Sequence, residues 1–451
     1  MSTVPASASD LHSVEEARDA VLAAIPPRTK VEYRTTSDAL GLVLAEPIVS
    51  LTALPPWDNS AMDGYAIRAE DVRAATGDDP ATLTVIGEVR AGMAPEVAVE
   101  RGTAIRIATG APVPHGADAV VQVELTTPAD ASGQPSGPRG RDATGAPPAK
   151  ILVHKAIRPA AAIRRRGSDL TEGVTILDAG TALTAAGIAL AAGAGVSHVS
   201  IHPRPRISIL ATGDEIRPAG QALGPAGIPD ANGPGLAALV EASGGEALRL
   251  GIAQDRLDDV LAHLRAALAE EPDAIIVSGG VSVGPYDVVR TAFEQLGRID
   301  LWKVAVQPGK PFVFGTASLG ADRQTILLFG LPGNPVSSFV TFELFVRPAI
   351  RRLAGRRDVL RPVDRAVLGD DVAKSAGRRA FVRVTAERDA GGAPIRDERG
   401  RVRVRLSGGA AGQGSHVMSA LASADALAVI PEAHDTLAAG AEVELWWLDP
   451  A

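Results

Sequence analysis

Between Pro205 and Gly355 the apolar residues switch repeatedly from short runs to a helical spacing, and this alternation constrains the fold more than any other feature. Ile207–Ala211, Ala247–Ala253, Ala274–Val277 and Thr325–Phe329 read as strands. Ala231–Ser243, Leu257–Ala269, Pro285–Leu296 and Pro335 to about Leu353 read as helices. In the second of these, Leu257, Leu261, Leu264 and Leu268 share one face. Parallel strands need a crossover, usually a helix, so the alternation predicts an α/β domain with a mostly parallel sheet and helices on both faces.

In an open sheet of this kind ligands bind beyond the carboxyl ends of the strands. The first strand leads into Thr212-Gly213-Asp214-Glu215, and the second into Gln254-Asp255. The third leads into Ser278-Gly279-Gly280-Val281-Ser282-Val283-Gly284 and then Asp287, and the last into Leu331-Pro332-Gly333-Asn334-Pro335. Glycines let backbone N–H groups approach an anion, and the start of the next helix adds a favourable dipole. The Ser278–Gly284 loop can therefore cup a phosphate, and the acids can hold Mg²⁺, which takes carboxylates together with phosphate oxygens. Each acid alone has a plainer explanation. Asp255 can cap the helix at Leu257, Asp287 suits a first helical turn, and Asp214 or Glu215 can be turn residues. Their convergence on one edge favours a phosphorylated ligand with a metal.

The chain has 451 residues, about three times a ~150-residue domain, so several domains are expected. Ser13 and Glu16 fit a capping box, and Val14, Ala17, Val21 and Ile25 follow at helical spacing up to Pro26-Pro27. A short second helix is expected around Ser37–Leu42. From Leu54 to about Leu125 the pattern is β-like, as in Thr82–Ile86 and Thr103–Ile107. Thr126–Lys150 is rich in Pro, Gly, Ser and Ala and reads as a flexible, disordered loop. An Ala-rich helix is expected near Thr184–Gly193, and after Pro362 the chain is strand-like again.

Composition removes whole classes of chemistry. The chain has no cysteine, which excludes disulfides, thiol catalysis and Cys-ligated zinc or iron–sulfur sites and permits the cytosol. A net charge of −8 and 3% aromatic residues argue against nucleic acid as a partner. Thr181–Val196, the strongest membrane candidate, is mostly Ala and Gly and too short to span. No signal peptide is expected, so the localisation expected is cytoplasmic. Gly309-Lys310-Pro311 lacks the Ser/Thr of a Walker A loop. His198 and His202 read as a strand and its end, not as metal ligands. Gly280–Gly284 matches GxSxG, so a hydrolase with Ser282 as nucleophile and His416 or His434 as base is an alternative; no HGGG-type oxyanion motif accompanies it. Arg347, Arg351, Arg352, Arg356, Arg357 and Arg361 read as a solvated helix end and linker. Arg164-Arg165-Arg166 suits an anion or an interdomain contact.

Leu54-Pro55-Pro56-Trp57-Asp58-Asn59-Ser60-Ala61-Met62-Asp63-Gly64-Tyr65-Ala66 closely resembles a motif of the molybdopterin molybdenumtransferases, the MoeA and gephyrin E-domain family. Further matches follow in the family's order: Arg106–Pro112, Gly116–Val121, Arg165–Asp169, Thr212–Glu215, Ser278–Gly284, Gln307–Pro311, Gly330–Pro335 and Gly412–His416. The resemblance covers nearly the whole chain.

It implies a helical linker portion from residues 1–50 and 151–203, an inserted β-rich domain at 51–150 with 126–150 as its flexible loop, an α/β molybdopterin-binding domain at 204–357 and a C-terminal β domain at 358–451. It implies a homodimer with the site between subunits, and as partners the molybdopterin adenylyltransferase and molybdoenzyme-maturation proteins. The implied reaction inserts molybdenum from molybdate into adenylylated molybdopterin, with Mg²⁺ and release of AMP. By resemblance the catalytic positions are Asp63, Thr109, Glu215, Asp255 and Asp287, with Asp255 and Asp287 as Mg²⁺ ligands. The substrate positions are Asp214, Ser278, Gly279, Gly280, Ser282, Gly284, Pro332, Gly333, Asn334 and Pro335, and Lys303 and Lys310 are candidates for anion contacts. A scaffold role on the same fold is the alternative from another class.

Overall fold

The computed structural model describes residues 11–27, 30–142, 145–281, 288–319 and 324–448, without the side chains of Trp302, Leu319 and Gln324. Helix α1 (Val14–Ala23) starts at the capping box: Glu16 N donates to Ser13 Oγ (3.1 Å) and Ser13 N to Glu16 Oε2 (2.8 Å). Its buried stripe of Val14, Ala17 and Val21 shares a core with Ile207, Leu236, Val240 and Phe345 of the α/β domain. The helix is thus packed apart from the segments expected to join it in a helical linker portion.

Those segments are mainly strands, which corrects the helical reading of 1–50 and 151–203. Glu32–Thr35, His198–His202 and Val43–Leu44 form one small sheet, and Ile48–Val49 pairs with Thr175–Leu177. Thr36–Asp38 is a single 3₁₀ turn where a helix was expected. Leu44, Ile48, Leu183, Val199 and Ile201 close a small core against helix α2 (Ala185–Gly193). Short β-branched stretches pair there because each is too short to bury a helical face.

The inserted domain is a sheet of β1 (Gly64–Ile67), β2 (Ala81–Val89), β3 (Thr103–Ile107), β4 (Ala119–Gln122), β5 (Thr126–Ala129) and β6 (Lys150–Val153), in the order β4-β1-β3-β2-β6-β5. Only β2 and β3 run parallel. The segment read as a disordered loop is therefore built into the sheet at both ends. Between them, Ser136 N donates to Pro128 O and Gly140 N to Thr126 O, each at 2.9 Å. Asp130 Oδ1 accepts from Ser132 N, Ser132 Oγ and Gln134 N. The composition holds few apolar side chains, but backbone and Asx hydrogen bonds order the segment without them.

The α/β domain runs β7 (Arg206–Thr212), α3 (Asn232–Ala242), β8 (Glu246–Ala253), α4 (Leu257–Ala269), β9 (Ala274–Ser278), α5 (Val288–Leu296), β10 (Gly297–Lys303), β11 (Pro311–Leu319), β12 (Gln324–Leu331), α6 (Pro335–Thr341), a π-helical turn (Phe342–Val346) and α7 (Arg347–Leu353). The sheet order is β8-β7-β9-β12-β11-β10. The first four strands are parallel, and β11 and β10 add an antiparallel edge. On one face α1, α3 and the α6–α7 helix bury Ile207, Ile209, Phe312 and Phe329. On the other, α4 and α5 bury Leu210, Leu264, Ile275 and Phe293.

The C-terminal strands β13 (Asp364–Leu368), β14 (Arg379–Ala386), β15 (Val402–Leu406), β16 (Ala426–Ile430) and β17 (Glu442–Trp447) pair in the order β14-β15-β13-β17-β16. Strand β16 pairs back onto β14, closing a small barrel around Val384, Val404, Ala428 and Leu445. Phe381 and Leu427 face outward and join the α/β core.

Only part of the arginine run is a solvated helix end: Arg352 and Arg357 are exposed, while Arg347, Arg351 and Arg361 are drawn inward. Arg347 and Arg351 are 9% exposed: Arg347 lies 3.8 Å from Glu343, itself 3% exposed in the π-helical turn, and Arg351 pairs with Asp358. Arg361 donates to Glu343 through Nε (2.7 Å) and Nη2 (3.1 Å), and its Nη1 reaches Trp447 O on the last barrel strand (2.6 Å). This arginine ties helix to barrel. Among the described residues no helix is long and apolar enough to cross a membrane. Arg361→Ala removes both short hydrogen bonds to a buried carboxylate, leaving it only Arg347 at 3.8 Å, and is expected to cost about 3 kcal/mol, read from urea unfolding of the purified protein.

Candidate functional site

The carboxyl ends of β7, β8, β9 and β12 lie along one edge. Two loops cross there at very short range. Gly279 has φ +97°, and a Cβ on it would lie 2.4 Å from Thr212 O. Gly280 has φ +65°, and its Cβ would lie 2.7 Å from Val289 Cγ2. Only glycine fits where the loop after β9 passes over the end of β7. Ser278 is buried, and its Oγ accepts from Asn232 Nδ2 at 2.7 Å. The same Nδ2 donates to Gly333 O, also at 2.7 Å. Asn232, at the start of α3, thus staples the Ser278 loop to the Pro332–Pro335 loop. Sequence reasoning missed it, because an Asn opening a helix carries no signal beyond a cap.

The Pro332–Pro335 loop is fixed from both sides. Ser338 Oγ donates to Pro332 O. Pro335 takes the first helical position of α6, where no N–H is needed. Asn334 Nδ2 donates to Ser415 Oγ (3.1 Å), and Val336 N to Ser415 O (3.3 Å), so the loop also rests on the C-terminal domain.

The acids after β7 and β8 do come together. Asp255 N donates to Asp214 Oδ1 at 3.3 Å. The Asp255 carboxyl is pushed up by burial and then by the charges of Glu215 and Asp214. Asp255 does not cap α4, whose N-cap residue is Arg256 and has no side-chain cap bond. Gly213 allows this crowding, since a Cβ there would lie 2.7 Å from Glu215 Oε2. Ser282, Gly284 and Asp287 lie outside the described residues. Among the described residues no three His, Asp or Glu side chains form a ready-made metal cage.

Lys303 ends β10, where its carbonyl accepts from His12 N at 3.2 Å. Lys310 lines a cavity of about 880 Å³ between the α/β and C-terminal domains, together with Ser337, Lys374, Arg378, Arg383 and Ser415. Arg383 is 1% exposed, donates through Nη2 to Gly412 O (2.5 Å) and Gly414 O (3.1 Å), and is pulled down to about 10 by burial. A cavity lined by these cations suits a small oxyanion. Sequence reasoning found Lys310 only; the other three cations stand on the C-terminal domain, and only folding brings them alongside.

Asp63 and Thr109 form a separate group in the inserted domain. Asp63 directly precedes β1 and Thr109 follows β3 by two residues. The antiparallel register, Gly64 opposite Ile107, makes those ends meet. Thr109 N (2.7 Å) and Thr109 Oγ1 (2.9 Å) both donate to Asp63 Oδ1. These bonds hold the Asp63 carboxyl below the usual range. Among the described residues Oδ2 accepts no hydrogen bond, and no bond or ion pair joins this pair to Asp214 and Asp255.

Three family models match successive stretches: the MoeA N-terminal region (domain I and II) at 12–195, a probable molybdopterin binding domain at 208–352 and the MoeA C-terminal region (domain IV) at 365–448. Molybdopterin molybdenumtransferase 2 of Mycobacterium tuberculosis H37Rv is 36% identical over 416 residues, 91% of this chain and 93% of the relative. The chain belongs to the molybdopterin molybdenumtransferase (MoeA) family. The molybdopterin molybdenumtransferase of Haemophilus influenzae is 32% identical over 434 residues, 96% of this chain and 98% of that one. The crystal structure of the molybdopterin biosynthesis moeA protein of Pyrococcus horikoshii OT3 superposes with a TM-score of 0.75 at 28% identity, covering 97% of this chain and 100% of that one. In this MoeA-family chain the Asp63–Thr109 pair falls in the first matched region, the Asp214–Asp255 acids and the Ser278 loop in the second, and Arg383 and Ser415 in the third.

A carboxyl whose pKa is raised by folding loses the folded state stability as pH rises through that pKa. Asp255→Asn is therefore expected to raise the thermal midpoint at pH 7, where Glu215 and Asp214 repel the native charge. At pH 3, where the raised Asp255 carboxyl is protonated and carries no charge to repel, wild type and variant should melt together.

Proposed function

We propose that this chain is a cytoplasmic molybdopterin molybdenumtransferase of molybdenum cofactor biosynthesis. It takes adenylylated molybdopterin and molybdate as substrates, inserts the metal into the dithiolene and releases AMP. The observation that carries this reading is the meeting, on one sheet edge, of a glycine-rich crossing, an acidic cluster and a neighbouring cationic cavity. The pterin brings both sulfurs, so a chain without cysteine suffices for the chemistry.

Each group then has its part. Backbone at Gly279 and Gly280 lies against the phosphates, close enough because no Cβ intervenes. Ser278, Asn334 and the two prolines shape the walls of that site. Asp214, Glu215 and Asp255 fit Mg²⁺: burial and then the neighbouring charges raise Asp255, and an ion held by one or two carboxylates plus phosphate oxygens needs no all-protein cage. Asp287 is assigned to the same ion. Bound there, Mg²⁺ would neutralise anhydride charge during cleavage. Lys310, Lys374, Arg378 and Arg383 receive molybdate, a tetrahedral dianion. Asp63 stays ionised at neutral pH, and its free Oδ2 accepts a proton from water or substrate.

The working unit is a homodimer in which Asp63 and Thr109 of one subunit face the α/β edge of the other. Supporting this, no bond joins the two groups within one chain among the described residues, and Tyr33, Leu40 and Leu51 are 60–73% exposed on the linker segments. A molybdopterin adenylyltransferase would supply the substrate, and molybdoenzyme-maturation proteins would take the product.

The test follows AMP release and pterin-bound molybdenum together, using purified protein, adenylylated molybdopterin, Mg²⁺ and molybdate. Molybdate-dependent appearance of both products is expected. Asp63→Asn should lower kcat by about 100-fold or more while the dimer persists in size-exclusion chromatography. Lys310→Met should raise the KM for molybdate by about tenfold, the loss of one charge-assisted contact. Substrate binding without turnover by a folded dimer would move the protein to the scaffold role.

A further inference from the structure

The 126–150 segment has no part in the reaction as proposed, yet it places one carboxylate on the strands that carry Asp63 and Thr109. Asp142 Oδ1 accepts from Tyr65 Oη at 2.8 Å, and Asp142 Oδ2 accepts from Arg106 Nε at 2.8 Å. Tyr65 on β1 and Arg106 on β3 stand directly opposite each other in the ladder. The adjoining pair is Gly64 and Ile107, and beyond it lie Asp63 and Thr109. One carboxylate therefore bridges both strands, with a single rung between it and the candidate catalytic pair.

The surroundings make this a clamp. Tyr65 is 1% exposed, so its hydroxyl needs a partner inside the fold. Arg106 also donates through Nη1 to Gly145 O (2.9 Å) and lies 3.5 Å from Glu88 on β2, so the segment and three strands meet at its guanidinium. Strand β1 is locked on its other side, since a Cβ on Gly64 would lie 2.0 Å from Val121 O of β4. Strand β3 is paired with both β1 and β2, and Asp142 adds a side-chain link between β1 and β3 through Tyr65 and Arg106. Movement of β3 away from β1 would carry Thr109 off Asp63 Oδ1 and free that carboxylate to rotate.

We infer that Asp142 is a positioning residue for the Asp63–Thr109 pair and that the 126–150 segment serves to deliver it. The inference rests on the role proposed above for Asp63. It gives the hydrogen bonds within the described part of this apolar-poor segment a purpose: they bring one half-buried acceptor to one rung.

The test is a double-mutant cycle in the full-length dimer, with kcat and KM read from the molybdenum-insertion assay. Asp142→Ala should lower kcat about tenfold with KM for the pterin substrate changed less than twofold. In the Asp63→Asn background the same substitution should change kcat less than twofold, because a residue acting through Asp63 has nothing left to position. Equal tenfold losses in both backgrounds would mean general damage to the fold and overturn the inference. So would an unchanged kcat in Asp142→Ala beside a strongly impaired Asp63→Asn. If Asp63→Asn turns over like wild type, the role of Asp63 falls and this inference with it, a result distinct from the previous two. Should Asp142→Ala not fold, Tyr65→Phe removes a single donor to the clamp. It is expected to lower kcat about threefold, again only while Asp63 is present, and a threefold loss in both backgrounds would overturn the inference.

Discussion

Parallel pairing of β8, β7, β9 and β12 is the constraint on which the rest of the molecule is arranged. Four strands pointing one way deliver four loops to the same edge, and any chemistry the loops carry must meet there. The crowding that follows is resolved by glycine at Gly213, Gly279 and Gly280, where a side chain would collide with the neighbouring loop. Burial and the acids gathered by the same geometry both disfavour the Asp255 charge, so this edge holds negative charge at a cost in stability.

The other parts of the chain complete this edge. Ser415 of the C-terminal domain holds Asn334 and Val336, and that domain adds Lys374, Arg378 and Arg383 to the cavity beside Lys310. Arg361 fastens the barrel to the helix through a buried carboxylate. The inserted sheet carries its own acid, Asp63, at a strand end fixed by the register of β1 and β3. In the reading proposed above, three separately built cores serve one chemistry.

Much of this was legible in the residues. The α4 stripe and the short runs before Gly213, Gln254 and Gly279 follow local periods, and the acids after β7 and β8 could be placed on one edge by topology alone. Strand β10 was not read, since the chain passes from α5 straight into it with Gly297 as the sole break; β11 also went unread, although Pro308-Gly309 punctuates the chain just before it. The arginine run was partly misread because Glu343 sits inside the apolar stretch Phe342–Val346, where sequence gives no hint that a buried partner awaits those cations. The 126–150 segment was misread because composition counts apolar side chains and is blind to backbone hydrogen bonds. Asn232 and the cavity cations depend on long-range contacts that no local pattern records.

Helix α1 shares its core with Phe345 of the α/β domain and with Phe381 and Leu427 of the barrel, hundreds of residues further along. On a ribosome the chain is made from its amino end, so Val14, Ala17 and Val21 emerge long before the surface that covers them exists. This helix is made early and housed late. Until the stretch from Phe342 to Leu353 has followed it off the ribosome, its apolar stripe lacks the surface it packs against.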